Sequence, residues 1–133
     1  MKTLAALLIL TATGIAGCST TPMSPDLAIE LSRPMLYATP NASSGHVTLW
    51  REQAAIMGNA CAPDVYLDGQ DVIDSLTEGS KVDFYPPAGE HVLSLSSMCK
   101  TYPEIIINVQ TGKTVLVEFG FRHSSPVMFV VHK

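Results

Sequence analysis

From His46 to the end of the chain, short runs of β-forming residues recur about every ten positions, each closed by a turn signal. Val47–Arg51 alternates apolar and polar residues. Asp64–Asp68 runs into Asp68-Gly69, a dipeptide suited to a tight hairpin because both residues tolerate positive φ. Val72–Leu76 stops near Glu78-Gly79. Lys81–Tyr85 alternates with period two and meets Pro86-Pro87-Ala88-Gly89, where two missing N–H groups forbid continued pairing. His91–Ser96 alternates again, and Glu104–Val109 is apolar and β-branched. Thr111-Gly112-Lys113 turns the chain into Thr114–Phe121, and Val127–Val131 closes it. No window beyond residue 46 sustains a 3.6-residue period. The pattern predicts an all-β fold, a small antiparallel β-sandwich of about seven or eight strands over residues 46–133.

The first residues follow a different rule. Met1-Lys2 is basic, Leu4–Leu10 is apolar, and Thr11–Gly17 is small or mildly apolar, the three-part layout of a secretory signal. The apolar run falls short of the roughly 20 residues that a spanning helix needs. Ile15-Ala16-Gly17-Cys18 then resembles the lipobox of bacterial lipoproteins: an aliphatic residue, two small ones, and a cysteine. Small side chains let a peptidase take the backbone, and the thiol accepts the diacylglyceryl group. The resemblance implies cleavage after residue 17 and a lipid-bearing, fatty-acylated Cys18. Ser19 resembles the residue found there in lipoproteins exported to the outer membrane. Residues 18–45, with Ser19–Pro22 and Pro40–Gly45 as linker chemistry, are expected to form a lipidated N-terminus and tether. The stretches Leu27–Leu31 and Met35–Tyr37 are more apolar than a free linker; packing on the domain and a short helical turn ended by Pro34 are the alternatives to a partly ordered leader.

Removing the signal leaves 12 acidic residues against 7 basic ones, a net charge of about −5. A nucleic-acid partner would call for a basic patch, and none is visible. Membrane attachment is therefore expected through lipid on Cys18, where more than one acyl chain gives stable anchoring. Cys61 and Cys99 remain. In an oxidising compartment they are expected to form a disulfide. Two buried thiols or a reactive pair are the alternatives, but no C-x-x-C occurs and nothing cationic adjoins Cys61.

Several ordered pieces resemble small bacterial lipoproteins of unknown function. Val65-Tyr66-Leu67-Asp68-Gly69-Gln70 is similar to their V-Y-V-D-G-K strand and turn. Tyr85–His91 is similar to their P-P-G-x-H turn, and Val109–Thr114 to their G-K-T hairpin. PEGA-type surface domains share the D-G…G-x-H rhythm. The resemblance spans residues 47–131 and implies a β-domain without catalytic residues to carry over. The cysteine pair and the Gln53–Ala60 stretch depart from it.

Candidate chemistry is sparse. Asp64, Asp68, Asp71, Asp74, Glu78 and Asp83 crowd one segment, but their spacing is not the alternate-position ligand set of a calcium loop. His46, His91, His123 and His132 show no ligand spacing, although His123 and His132 would meet if the last two strands paired suitably. His91 is expected to stabilise the turn before its strand. No G-x-S-x-G or phosphate-binding loop occurs. Trp50, Tyr66, Phe84, Tyr85 and Tyr102 are either a sugar-binding row or, for Trp50 and Phe84, core residues. No cofactor or metal is expected, and the chain reads as non-enzymatic. The leading expectation is a binding or structural module of the cell envelope, anchored at the periplasmic face of the outer membrane and working through protein–protein contacts. The alternative is a glycan- or peptidoglycan-binding lipoprotein. An exposed aromatic row would favour glycan, and an exposed uncharged sheet edge a protein.

Overall fold

The computed structural model describes residues 20–31, 33–54 and 61–132. The signal segment 1–17 and Cys18 lie outside the described residues. In chain order the strands are β1 (Thr20–Thr21), β2 (Ile29–Glu30), β3 (His46–Arg51), β4 (Gln53–Ala54), β5 (Asp64–Leu67), β6 (Gln70–Ile73), β7 (Ser80–Phe84), β8 (Gly89–Ser96), β9 (Thr101–Val109), β10 (Thr114–Arg122) and β11 (Ser125–Val131). Eight of them have four residues or more, and the other three have two. A single 3-10 turn, Pro25–Leu27, is the only helical element among the described residues.

The fold is a small β-sandwich. One sheet has the order β11-β10-β3-β7-β2 and the other β6-β5-β8-β9, with β1 and β4 forming a separate short pair. Alternation sets the core. Val47 and Leu49, Val82 and Phe84, and Val117, Phe119 and Phe121 point inward from the first sheet. Val65, Leu67, Leu93, Leu95, Ile107 and Val109 meet them from the second. Fully burying each such side chain contributes about 1.5–3 kcal/mol.

Two pairings are parallel rather than antiparallel. β10 lies alongside β3, from Thr114↔His46 to Phe119↔Arg51, and β2 lies alongside β7. Parallel neighbours need a long crossover. Between β3 and β10 the chain builds the whole second sheet and β7, so β10 returns running in the direction of β3.

The expected tether is instead part of the domain over its described residues. Ile29 N–H donates to the Gly79 carbonyl at 2.9 Å, Leu31 N–H to Lys81 at 2.9 Å, and Met35 N–H to Val72 at 2.8 Å. Tyr85 N–H donates back to Tyr37 at 2.8 Å. Ala28 is buried, and Leu31, Leu36 and Tyr37 pack against the core. Residues 20–31 and 33–45 thus close the flank of the sandwich between β7 and β6. The apolar stretches within the leader are what make this packing favourable. The opposite flank, between β9 and β11, has no such cover among the described residues.

Candidate functional site

The two ends of the sandwich carry different chemistry. At one end the turns at Asp68-Gly69, Pro86–Gly89 and Gln110–Lys113 gather. Asp68 and Gly69 both take positive φ (52° and 78°), the geometry expected of that dipeptide. One Asp68 carboxylate oxygen accepts the Val92 N–H at 2.8 Å, and the other meets His91 Nδ1 at 2.6 Å. His91 Nε2 lies 2.7 Å from the Pro87 carbonyl. With an acceptor at each ring nitrogen, the doubly protonated imidazolium is the form that satisfies both. Burial works against that charge, but the Asp68 carboxylate and the Pro87 carbonyl outweigh it and raise the His91 pKa. The His91 hydrogen bond and the Val92 N–H hold Asp68 below its ordinary range. His91 does stabilise the turn before its strand, and it also locks that turn to the β5–β6 hairpin. Both ring nitrogens are engaged, so the pair acts as a latch and offers no free base.

A second histidine network decorates the outward face of the larger sheet. Asp83 lies 2.7 Å from His46 Nε2 and accepts from the Thr48 hydroxyl at 2.6 Å, and His46 stacks on Tyr85 with ring centroids 4.9 Å apart. The remaining members of the acidic run disperse: Asp64 accepts the Ser75 N–H, and Glu78 faces Arg51 at 3.6 Å. No group of metal ligands forms among the described residues. His123 sits in the β10–β11 turn and His132 beyond the far end of β11, so strand pairing carries them apart.

At the other end lies a feature that sequence reasoning missed. Glu52 is fully buried and forms a two-pronged ion pair with Arg122, at 2.6 and 2.7 Å. The Thr20 hydroxyl also bonds Glu52, and accepts the Phe121 N–H at 2.8 Å. Gly120 makes this possible: a Cβ there would collide with the Glu52 carboxylate. Glu118, 8% exposed, lies beside the Glu52 carboxylate and the Met23 backbone. Burial would by itself push Glu52 upward, but the Arg122 fork, with Glu118 and Thr20, holds it low and charged. Burial and the neighbouring Glu52 charge push Glu118 up to about 7. One Glu118 oxygen is buried with no donor aimed at it, and a proton shared with Glu52 resolves that arrangement.

Split carboxylate pairs of this kind can do acid–base work when substrate reaches them. Here the leader covers them, with Met23 also accepting the Trp50 indole N–H at 2.9 Å. The pair therefore fastens the leader to the sheet. Glu118 binds its proton more tightly in the folded state, so its contribution is full below the ordinary carboxylate range. It is lost as pH rises through about 7. The melting temperature should fall by a few degrees between pH 5.5 and pH 8, and Glu118→Gln should flatten most of that slope. The slope that remains belongs to His91, whose raised pKa has the same sign. An unchanged slope in the variant would show that Glu118 does not carry the proton.

The expected disulfide is present: Cys61 and Cys99 are bonded, with Cα atoms 5.8 Å apart. The Tyr102 hydroxyl donates to the Cys61 carbonyl at 3.0 Å. The aromatic residues do not form a row. Phe84 is in the core, while Trp50 is 2% exposed on the opposite face, beneath the leader. The reason is alternation: Val47 and Leu49 take the core side of β3, so Trp50 must face out. Tyr102 is buried as well, its ring edge-on to Phe119.

The open flank is the remaining candidate. A cleft of about 730 Å³ lies between β9, the start of β10 and the end of β11, lined in part by Ile106, Thr114, Leu116, Val130 and His132. β11 pairs with β10 on one side only, and from Ser125 to Val131 it holds no charged residue. Phe129 on its outward face is 39% exposed and Ile106 on β9 is 63% exposed. No family model, curated protein or solved structure matches the chain.

Proposed function

We propose that this chain is a lipid-anchored cell-envelope protein that acts without catalysis, as a binding or structural module for another protein. In this reading residues 1–17 are a cleaved signal, Cys18 carries the lipid, and the domain faces the periplasm from the outer membrane. The observation that carries the binding role is the uncharged free edge of β11 beside an apolar cleft. Unpaired backbone groups on such an edge accept an added strand, and alternate side-chain pockets select it. Natural edges are commonly blunted with charge or proline. Here the only such device is Pro126, one residue into the strand.

Burial of Trp50, Phe84 and Tyr102 leaves Tyr66, on β5, and Tyr85, just past β7, half-buried at different sheets, which weighs against a continuous aromatic row for glycan. The resemblance to PEGA-like lipoprotein domains belongs to the same proposal. Its D-G…G-x-H rhythm gains a physical meaning from the contact between Asp68 and His91.

Site-specific photo-crosslinking in the native envelope tests the binding role. A benzoylphenylalanine at position 129 should yield a discrete protein adduct. The same probe at Asp71, exposed on β6 at the far edge of the other sheet, should not. Equal labelling at the two positions, or none at 129, would remove β11 as the docking edge.

A further inference from the structure

We infer that the Arg122 end of the sandwich rests on the bilayer surface, with Met98 inserted among the lipids. This rests on the lipoprotein reading and adds an orientation to it. Thr20 is 6% exposed and fixed in the sheet by Phe121, Arg122 and Glu52. Thr20 follows Cys18 by two positions, with Ser19 between them, and an extended chain covers at most about 3.6 Å per residue, so covalent geometry keeps the lipid-bearing residue within about 7 Å of Thr20. A lipid whose acyl chains enter the membrane at Cys18 thus brings this end of the domain to the headgroups. A free tether of 28 residues would impose no orientation; an anchor two residues from a buried strand does.

The surface at this end suits that position. Lys100 reaches the Ser124 carbonyl at 3.3 Å and lies over the Phe121 ring at 5.1 Å. These contacts set the Ser97–Lys100 loop beside the β10–β11 turn and Arg122. Met98 in that loop is completely exposed, more so than Met35 in the leader, while Met128 in β11 is buried. A flexible apolar side chain flanked by a lysine is the pattern of an interfacial contact: the thioether enters the acyl boundary and the cation meets headgroup phosphate. Lys100 is exposed and carries positive charge here on a protein that is acidic overall, while the Arg122 charge is matched by Glu52.

The test uses the full-length lipidated protein in vesicles of phosphatidylethanolamine and phosphatidylglycerol, some with brominated acyl chains. Met98→Trp places a reporter at the inferred contact, and Thr111→Trp places one at the opposite end. The bromines should quench Met98→Trp emission at least about twofold, because interfacial side chains sit roughly 5–10 Å into the boundary. Thr111→Trp should match the wild type, whose sole tryptophan, Trp50, is buried. Lipidated, vesicle-bound protein with Met98→Trp unquenched would overturn the orientation alone. A mature N-terminal peptide without lipid on Cys18 would overturn both the orientation and the anchoring on which it rests. Quenching equal at both positions would also overturn it, since the domain would then tumble about its anchor.

Discussion

A chain lacking residues 126–133 should fail to fold. β11 pairs with β10 over seven residue pairs, from Leu116↔Val131 to Arg122↔Ser125. Its inward side chains complete one side of the core: Met128 is 7% exposed and Val130 packs against the central cluster. Losing several such side chains costs roughly 1.5–3 kcal/mol each. Uncovering the flank of Phe119 and Phe121 adds to that cost, against a total stability of about 5–15 kcal/mol for a domain. The expected result is loss of the cooperative thermal transition and of near-ultraviolet dichroism. Val127→Lys with Phe129→Lys is the companion variant, since neither side chain is buried. It should keep the transition within a few degrees while removing the proposed strand partner. A truncated chain that still melts cooperatively would show that the last strand is dispensable to the core.

Replacing both Cys61 and Cys99 with serine should cost about 4 kcal/mol, the loop-closure entropy of a bridge across 38 positions. The bond joins the segment before β5 to the loop between β8 and β9, at the end where Arg51 is buried. The Arg51 guanidinium donates to the Leu76 carbonyl at 2.9 Å and lies over the Phe119 ring. Burial lowers the Arg51 pKa, with Glu78 opposing that shift. Freeing the two loops would let water reach this cation and loosen the Tyr102 contact with Cys61. Urea unfolding of the double variant, beside wild type with and without reductant, gives the measurement. A midpoint shift worth less than about 1 kcal/mol would mean that the loops are held mainly by Tyr102 and Arg51.

Much of the sandwich was legible in the residues because its strands obey local rules. Period-two alternation placed Phe84 and Val82 inward, and Asp68-Gly69 and Gly112 stand at positive φ where turns were expected. The cysteines were legible from compartment chemistry. What could not be read was long-range. Nothing local tells that β10 returns parallel to β3, or that Met23 covers Trp50, since each contact depends on the completed sheet. The Glu52–Arg122–Glu118 cluster stayed hidden for the same reason. Its one local signal is Gly120, a glycine inside an apolar strand, which marks close approach of another group. Pro and Ser suggested a tether over residues 18–45, while the apolar stretches within it pointed to packing on the domain, which the described residues show. Leu31, Leu36 and Tyr37 together were the better guide.

The contact between Thr20 and Phe121 joins positions 101 apart. A chain made from its N-terminus offers Thr20 long before it offers β10. The leader can therefore take its place only after nearly the whole domain has been delivered. Docking of the leader is thus one of the last contacts the fold can make. Under the lipoprotein reading proposed above, acylation and cleavage at Cys18 would precede it.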